Sequence, residues 1–551
     1  MWCLSYEDHS LWRAISTHSR SSSSRLLNCQ TKNIETCWGH PSIPRLPCQQ
    51  SNRMTIVLKR KVALGVAWSS VANWGGQIIS FGVYAGLARL LDPHIFGLVA
   101  IAFVYVSFMQ VFVTQGFGTA IVQRKDLEPE HIDSAFWINM GTAFALCAVS
   151  FALEGRIARV FHEPSLAPVI GWLSLSFPLL ALSAMPGAIL AREMNFRTLS
   201  IRGLGATVVG GATGLAMARF GWGVWSLVGQ QIMGSIFGVL FLWSTVQWRP
   251  GFRISKRHLR DLYRFSVNLA ASDLLWFFAS KSDQTLVGYG FGPEGLGPYS
   301  LASRLNSVLQ DGIATPLQTV ALPAFSKLQS DQVSLERALR KFCEISCFLS
   351  LPLFAGLIAV APQAVPLMFG PKWIAAIPLV RILAICAAMR CAFPFLNPLL
   401  LAKGRSGLQF LILVVQSATT VAACWIALRW NTEAVAWSMV SSVGAISALA
   451  ILFPVRMLGI NIARLIKSFV LPLLASIFML AVVDLTRIAA EKRFPPVAIL
   501  VLCVAVGFLT YSVAGVLIMG DLVGEIWETL GRKQPVLGGE RSVEVSSPKV
   551  G

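Results

Sequence analysis

Seven charged side chains sit inside stretches of sequence that are otherwise apolar: Asp273, Lys281 and Asp283 in one, Arg304 and Asp311 in the next, Arg381 and Arg390 in a third. A charge in such a stretch costs about 2.5–3.5 kcal/mol on membrane-insertion scales, so each must face protein or water. Lys281, Arg304 and Arg381 lie about eight or nine residues from the same end of their segments, a common depth of roughly 12 Å at 1.5 Å per residue. Three cations in one layer suit a polyanion such as a diphosphate, because a guanidinium fork grips two phosphate oxygens at once. Arg390, nine residues beyond Arg381, is turned about 180° from it on a regular helix and ranks fourth. Lys281, Arg304, Arg381 and Arg390 are therefore the expected anion-binding set. Asp273, Asp283 and Asp311 are the expected ion-coupling groups, since loss of hydration favours a carboxyl's neutral form and fits it to exchange a proton, or to hold sodium. The opposing reading pairs the charges with one another, Lys281 with Asp283 or Arg304 with Asp311, as ties between helices. No catalytic residue, metal ligand or cofactor is expected: the sequence has no Gly-x-x-x-x-Gly-Lys-[Ser/Thr] nucleotide loop, and its Cys and His residues lack metal-site spacing.

The elements that must position these groups are membrane spans. Of 551 residues, 55% are hydrophobic and 13% charged, with a mean hydropathy of +0.63; soluble domains carry about 25% charged residues. Fourteen apolar segments are predicted, approximately 63–88, 95–118, 134–153, 166–190, 203–219, 222–244, 265–290, 296–323, 343–362, 373–401, 408–428, 433–454, 469–488 and 497–519. The net charge of +19 follows from cations in the connecting loops and calls for no nucleic-acid partner. With the N-terminus placed inside and the loops sorted alternately, 25 Lys and Arg fall inside; Arg89, Arg156, Arg159, Arg219, Lys372, Arg429, Arg487, Lys492 and Arg493, nine in all, fall outside. That bias supports the span count and cytoplasmic termini. Residues 1–53 are polar, with the run Ser21 to Ser24 and no signal-peptide core. They read as a disordered or mis-annotated extension, with Met54 before Lys59, Arg60 and Lys61 as the expected start. The cysteines read as small apolar fillers.

The chain also resembles itself. Asp92-Pro93-His94-Ile95-Phe96-Gly97 is matched by Gly292-Pro293-Glu294-Gly295-Leu296-Gly297, and Pro168-Val169-Ile170 by Pro378-Leu379-Val380. Ile189 to Arg192 is matched by Leu400 to Lys403, and Trp225 to Val228 by Trp437 to Val440. Four matches in order, at offsets rising only from 200 to 212, predict two six-helix halves related by a pseudo-two-fold axis along the membrane normal. The expected division is an extension, 1–53; a first half, 54–248; a basic cytoplasmic linker, 249–264, suited to anionic headgroups; a second half, 265–455; two further spans, 456–519; and a cytoplasmic tail, 520–551.

The segment Leu87-Ala88-Arg89-Leu90-Leu91-Asp92-Pro93, then Phe96-Gly97, Gln115-Gly116-Phe117-Gly118 and Ala120-Ile121-Val122-Gln123, resembles the N-terminal signature of bacterial polysaccharide flippases of the Wzx type. Asp283, Leu286-Val287-Gly288, Leu296-Gly297, Tyr299 and Leu301-Ala302, with Pro323-Ala324-Phe325 following, resemble the signature that opens the second half. The likeness covers roughly residues 60–460 and places the chain in the multidrug/oligosaccharidyl-lipid/polysaccharide exporter superfamily. It implies an all-α polytopic inner-membrane protein that moves an undecaprenyl-diphosphate-linked oligosaccharide between leaflets, for lipopolysaccharide, capsule or exopolysaccharide synthesis. Membrane lipids, H+ or Na+, and a polysaccharide polymerase with its chain-length regulator are the partners that go with that role. Two other classes are compatible with parts of the sequence. A drug exporter or peptidoglycan-precursor flippase of the same superfamily shares the fold, although an exporter of cations would favour acids in its cavity. A membrane polymerase or ligase needs a large outer loop, and the outer loops here are too short to build one.

Overall fold

The computed structural model describes residues 74–531, apart from residues 115, 125, 253–255, 393 and 458–461. The expected extension, the start at Met54 and the end of the tail lie outside the described residues. Within them every regular element is helical.

In the first half, α1 (residues 74–90) leads into α2 (Pro93–Thr114), α3 (Phe117–Gln123) and α4 (Pro129–Val160). A broken pair follows, α5 (Leu166–Ser174) and α6 (Ser176–Arg192), then α7 (Phe196–Arg219) and α8 (Trp225–Thr245). The second half opens with α9 (Lys256–Lys327), continuous except for a kink at Gly292, whose φ of 62° and ψ of −164° divide it into two arms. It continues through α10 (Gln332–Phe369), a 3-10 turn at Pro371–Trp373, the broken pair α11 (Ala376–Ala392) and α12 (Leu396–Ala402), α13 (Ser406–Ala427) and α14 (Thr432–Met457). The last two helices, α15 (Ile462–Ala490) and α16 (Pro496–Gly531), pack on α10 through Ala359, Ala475, Met479, Val483 and Cys503. Ten helices, broken pairs included, are long and apolar enough to cross a membrane; α1, the two arms of α9 and α14 fill the remaining expected spans. Two boundaries differ from expectation. Much of the expected linker is the first turns of α9, and α16 runs on to Gly531.

Local chemistry explains where helices start. Asp331 caps α10 by accepting from the Val333 and Ser334 N–H groups at 3.1 and 3.2 Å, and Asn431 caps α14 by accepting from Ala434 N–H at 2.8 Å. Glu128 and His131 form a reciprocal box ahead of α4, with Pro129 at the first helical position. Cys147, Cys343, Cys347, Cys386, Cys391, Cys424 and Cys503 are buried free thiols; Cys147 and Cys424 touch the Ser174 and Ser438 hydroxyls at 3.4 Å, and Cys386 lines a polar cavity between the halves. Those before residue 50 lie outside the described residues.

The sequence repeat becomes a contact. At one end of the bundle, here the Asp92 end, the starts of α2 and of the 293–327 arm cross so closely that a methyl group on Gly97 would collide with the Pro293 carbonyl, and one on Gly297 with the Pro93 carbonyl. Each half thus supplies the proline whose carbonyl occupies the space above the other's glycine. Trp373 seals the same end. It is fully buried, donates from Nε1 to Ala88 O at 2.8 Å and meets Phe96 edge-on at 5.2 Å. It is a plug between the halves. Arg89 donates to the Met368 carbonyl at 2.9 Å and to the Leu367 carbonyl, and Lys372 meets Asp92 at 2.7 Å.

Candidate functional site

Below this seal lies a cavity of about 680 Å³ between the halves. The 293–327 arm presents a polar stripe to it, Ser300, Ser303, Arg304, Ser307 and Asp311, at the three- and four-residue spacings that keep side chains on one helical face. The other arm contributes Lys281, Asp283 and Gln284; α11 contributes Arg390; α1 and α8 contribute Ser80, Tyr84 and Gln230. The charges all come from the second half and the first half supplies neutral polar groups, the asymmetry its sequence shows.

Lys281, Arg304, Arg390, Asp283 and Asp311 therefore share one cavity. Among the described residues none of them forms an ion pair within 4.0 Å with another charged side chain, so the expected structural pairs, Lys281 with Asp283 and Arg304 with Asp311, are not made. Arg304 instead donates across the boundary between halves to Ser80 Oγ at 2.9 Å. Asp283 is buried and accepts from the Tyr299 hydroxyl at 2.9 Å, while its other oxygen has no hydrogen-bond partner among the described residues. Arg390 Nε is likewise buried without one. A buried polar atom left unsatisfied costs about 1–3 kcal/mol, and two such atoms, of Asp283 and Arg390, belong to residues that line this cavity.

Two expected site residues fall elsewhere. Arg381 shares the layer by depth but not by direction: its Nε donates to the Ile358 carbonyl at 3.0 Å, and the half-turn separating it from Arg390 puts Arg390 on the cavity. Asp273 is exposed and absent from the cavity wall. Among first-half amides, position decides which one reaches the cavity. Gln230 lines the cavity, whereas Asn139 is fully buried inside its own half; Asn73 lies outside the described residues. The serines at 80, 280, 300, 303 and 307, with Gln231, Gln284, Asn306 and Gln310, were not anticipated individually, although their helical spacing on the 293–327 arm was a readable signal.

The family model described as polysaccharide biosynthesis protein matches residues 86–378. The chain belongs to this family. Among the relatives of this polysaccharide biosynthesis protein, the succinoglycan biosynthesis transport protein ExoT of Rhizobium meliloti (strain 1021) is 26% identical over 66% of this chain and 74% of its own. The lipopolysaccharide biosynthesis protein WzxC of Escherichia coli (strain K12) is 26% identical over 64% of this chain and 72% of its own. The teichuronic acid biosynthesis protein TuaB of Bacillus subtilis (strain 168) is 24% identical over 64% and 74%. The fold is shared with the lipid II flippase MurJ in an inward closed conformation, at a TM-score of 0.67 and 16% identity over 83% of this chain and 99% of that one. An inward-facing multidrug resistance MATE family transporter of the MOP superfamily has the same fold, at a TM-score of 0.56 and 14% identity over 72% of this chain and 99% of that one.

Proposed function

We propose that this polysaccharide biosynthesis protein is a flippase that carries undecaprenyl-diphosphate-linked oligosaccharide units across the bacterial inner membrane for surface polysaccharide synthesis. The observation that carries the reading is the cavity itself. Lys281, Arg304 and Arg390 face into it with no carboxylate oxygen within 4.0 Å among the described residues, amid serine, glutamine and asparagine side chains suited to sugar hydroxyls. The cations hold the diphosphate, the hydroxyl and amide groups hold the sugar, and the prenyl chain stays in lipid. A drug exporter for cations would gain nothing from this wall, where arginine and lysine outnumber acids. In this scheme Arg381 holds α11 to α10 and Asp273 takes no part in coupling.

The charge bias of the loops supports cytoplasmic termini, which makes the Asp92 end the outer one. Its seal then closes the cavity to the outside, and transport proceeds as the halves, 54–248 and 265–455, rock to open the outer end and close the inner. Asp283 and Asp311 couple that motion to a proton or sodium gradient. A polymerase and its chain-length regulator are the partners that would take up the delivered unit.

The test is deletion of the gene in its host, with assay of surface polymer and of the inner-leaflet pool of prenyl-diphosphate-linked sugar. Loss of polymer together with accumulation of complete lipid-linked units facing the cytoplasm is expected. Normal polymer with altered drug sensitivity would overturn the reading.

A further inference from the structure

A second cavity of about 560 Å³ lies on the far side of the helices that wall the first. On α2, Ala100 and Phe103 face the polar cavity while Val104 and Phe108 face the second one. On the 256–291 arm, Lys281 and Gln284 face the polar cavity while Phe277 and Leu286 face the second. These two helices, one from each half, are thus a partition between a charged space and an apolar one. They pack tightly: Phe108 meets Phe277 with ring centroids 5.4 Å apart, and a methyl group on Gly288 would approach Ile101 to 3.1 Å.

The second space is a groove running along the bundle axis. Phe161 stands at its outer rim, one residue beyond α4, and Phe108 lies 15 residues along α2 from the same end, about 22 Å down at 1.5 Å per residue. Its polar groups are few. The Thr285 hydroxyl is spent on the Lys281 carbonyl at 2.7 Å, the Tyr105 hydroxyl is paired with Ser150 Oγ at 2.8 Å, and Ser282 is buried. Arg156, one turn from the end of α4 and exposed, is the one charged residue on the wall, and it makes no hydrogen bond or ion pair among the described residues.

We propose that this groove is the seat of the substrate's polyprenyl chain in the outer leaflet, and that the seam between α2 and the 256–291 arm is the slot through which sugar diphosphate and chain stay joined. An apolar groove of leaflet depth takes an isoprenoid chain, and a lone cation at its rim takes the diphosphate as it leaves the cavity. Bulk phospholipid also has an apolar chain and a phosphate. The shared wall with the cavity assigns the groove to the chain whose head group occupies that cavity. The assignment rests on the function proposed above.

The experiment is photo-crosslinking of the full-length protein in proteoliposomes with undecaprenyl diphosphate carrying a diazirine on one of the isoprene units nearest the diphosphate. Labelling is expected on α2 and α4 around Phe108 and Ile157, suppressed by unlabelled undecaprenyl diphosphate but not by the same amount of phosphatidylglycerol. Ile157→Trp, which fills the groove, removes the labelling, and Arg156→Ala weakens it about tenfold, the loss of one charge-assisted hydrogen bond. Labelling spread around the lipid-facing surface, or equal suppression by phosphatidylglycerol, overturns the proposal. Calorimetric binding of a water-soluble geranyl-diphosphate disaccharide, sensitive to Arg304→Ala and indifferent to Ile157→Trp, checks the cavity separately. If that probe binds and the groove is unlabelled, the groove assignment alone fails. If it does not bind the unmodified protein, the cavity reading falls and the groove assignment with it.

Discussion

Arg304 faces the cavity and also donates to Ser80 Oγ on the other half, so its replacement removes a ligand group and a tie together. Arg304→Ala should lower translocation in proteoliposomes at least about tenfold, because a hydrogen bond to a charged group contributes about 1.5–3 kcal/mol. Arg304→Lys keeps the charge without the fork and should recover part of the rate. Ser80→Ala removes only the neutral partner and should cost far less; equal losses from Ser80→Ala and Arg304→Ala would mean that the tie, not the ligand site, is what matters. Asp283 offers a second separation. Asp283→Asn still accepts from the Tyr299 hydroxyl, so the protein should fold and reach the membrane normally while losing its response to an imposed proton or sodium gradient. A response equal to that of the unmodified protein would remove Asp283 from coupling. At this scale the sequence was partly legible. Intramembrane charge singled out Lys281, Arg304, Arg390, Asp283 and Asp311, but depth along a helix says nothing of direction, and Arg381 was misplaced for that reason. The lining serines were hidden because a neutral hydroxyl costs little to bury beside its own helix carbonyl.

Helices and their junctions respond differently. Asp331 at the start of α10 is held below the usual carboxylate range, first by the Ser334 side chain and then by the Ser334 N–H, with Val333 N–H and Arg337 adding to this. A depressed folded-state value means that its contribution to stability is present above the unfolded carboxylate pKa, about 3.9, and is lost as pH falls through the folded value. Asp331→Asn should therefore lower the melting temperature near neutrality and leave it nearly unchanged at the acid end, so that the acid side of the profile of melting temperature against pH is flattened. Gly97→Ala and Gly297→Ala should each force the crossing backbones apart, costing about 1–3 kcal/mol as overpacking does. Their effect should appear as a lowered melting temperature and as faster labelling of a cysteine at Phe96 by a membrane-impermeant thiol reagent. The spans were legible from apolar runs, since a lipid environment demands them. The breaks inside α5–α6 and α11–α12, and the continuity of the two arms through Gly292, were not, because they depend on which neighbours re-satisfy the freed carbonyls.

For the whole molecule, the seal at the Asp92 end sets the free-energy difference between the described state and one open at that end. The Lys372–Asp92 pair is 50% and 63% exposed and is worth about 0–1 kcal/mol. Lys372→Ala should thus leave transport within a few fold. Arg89, bound to two backbone carbonyls, and the buried Trp373 hold more. Arg89→Ala should shift the population toward a form open at the Asp92 end, read as greater spin-label separation between residues 90 and 374 by electron resonance; unchanged distances would show that the aromatic plug suffices alone.

The crossing of the Pro93 and Pro293 turns limits how the halves can vary. Two repeated halves are ordinarily free to differ, and at the cavity they do, with charge on one side and neutral groups on the other. At Gly97 and Gly297 that freedom is absent, because each residue's permitted size is dictated by its counterpart's backbone. The polar wall of the cavity can change by substitution in one half, but this joint can be enlarged only by reshaping both.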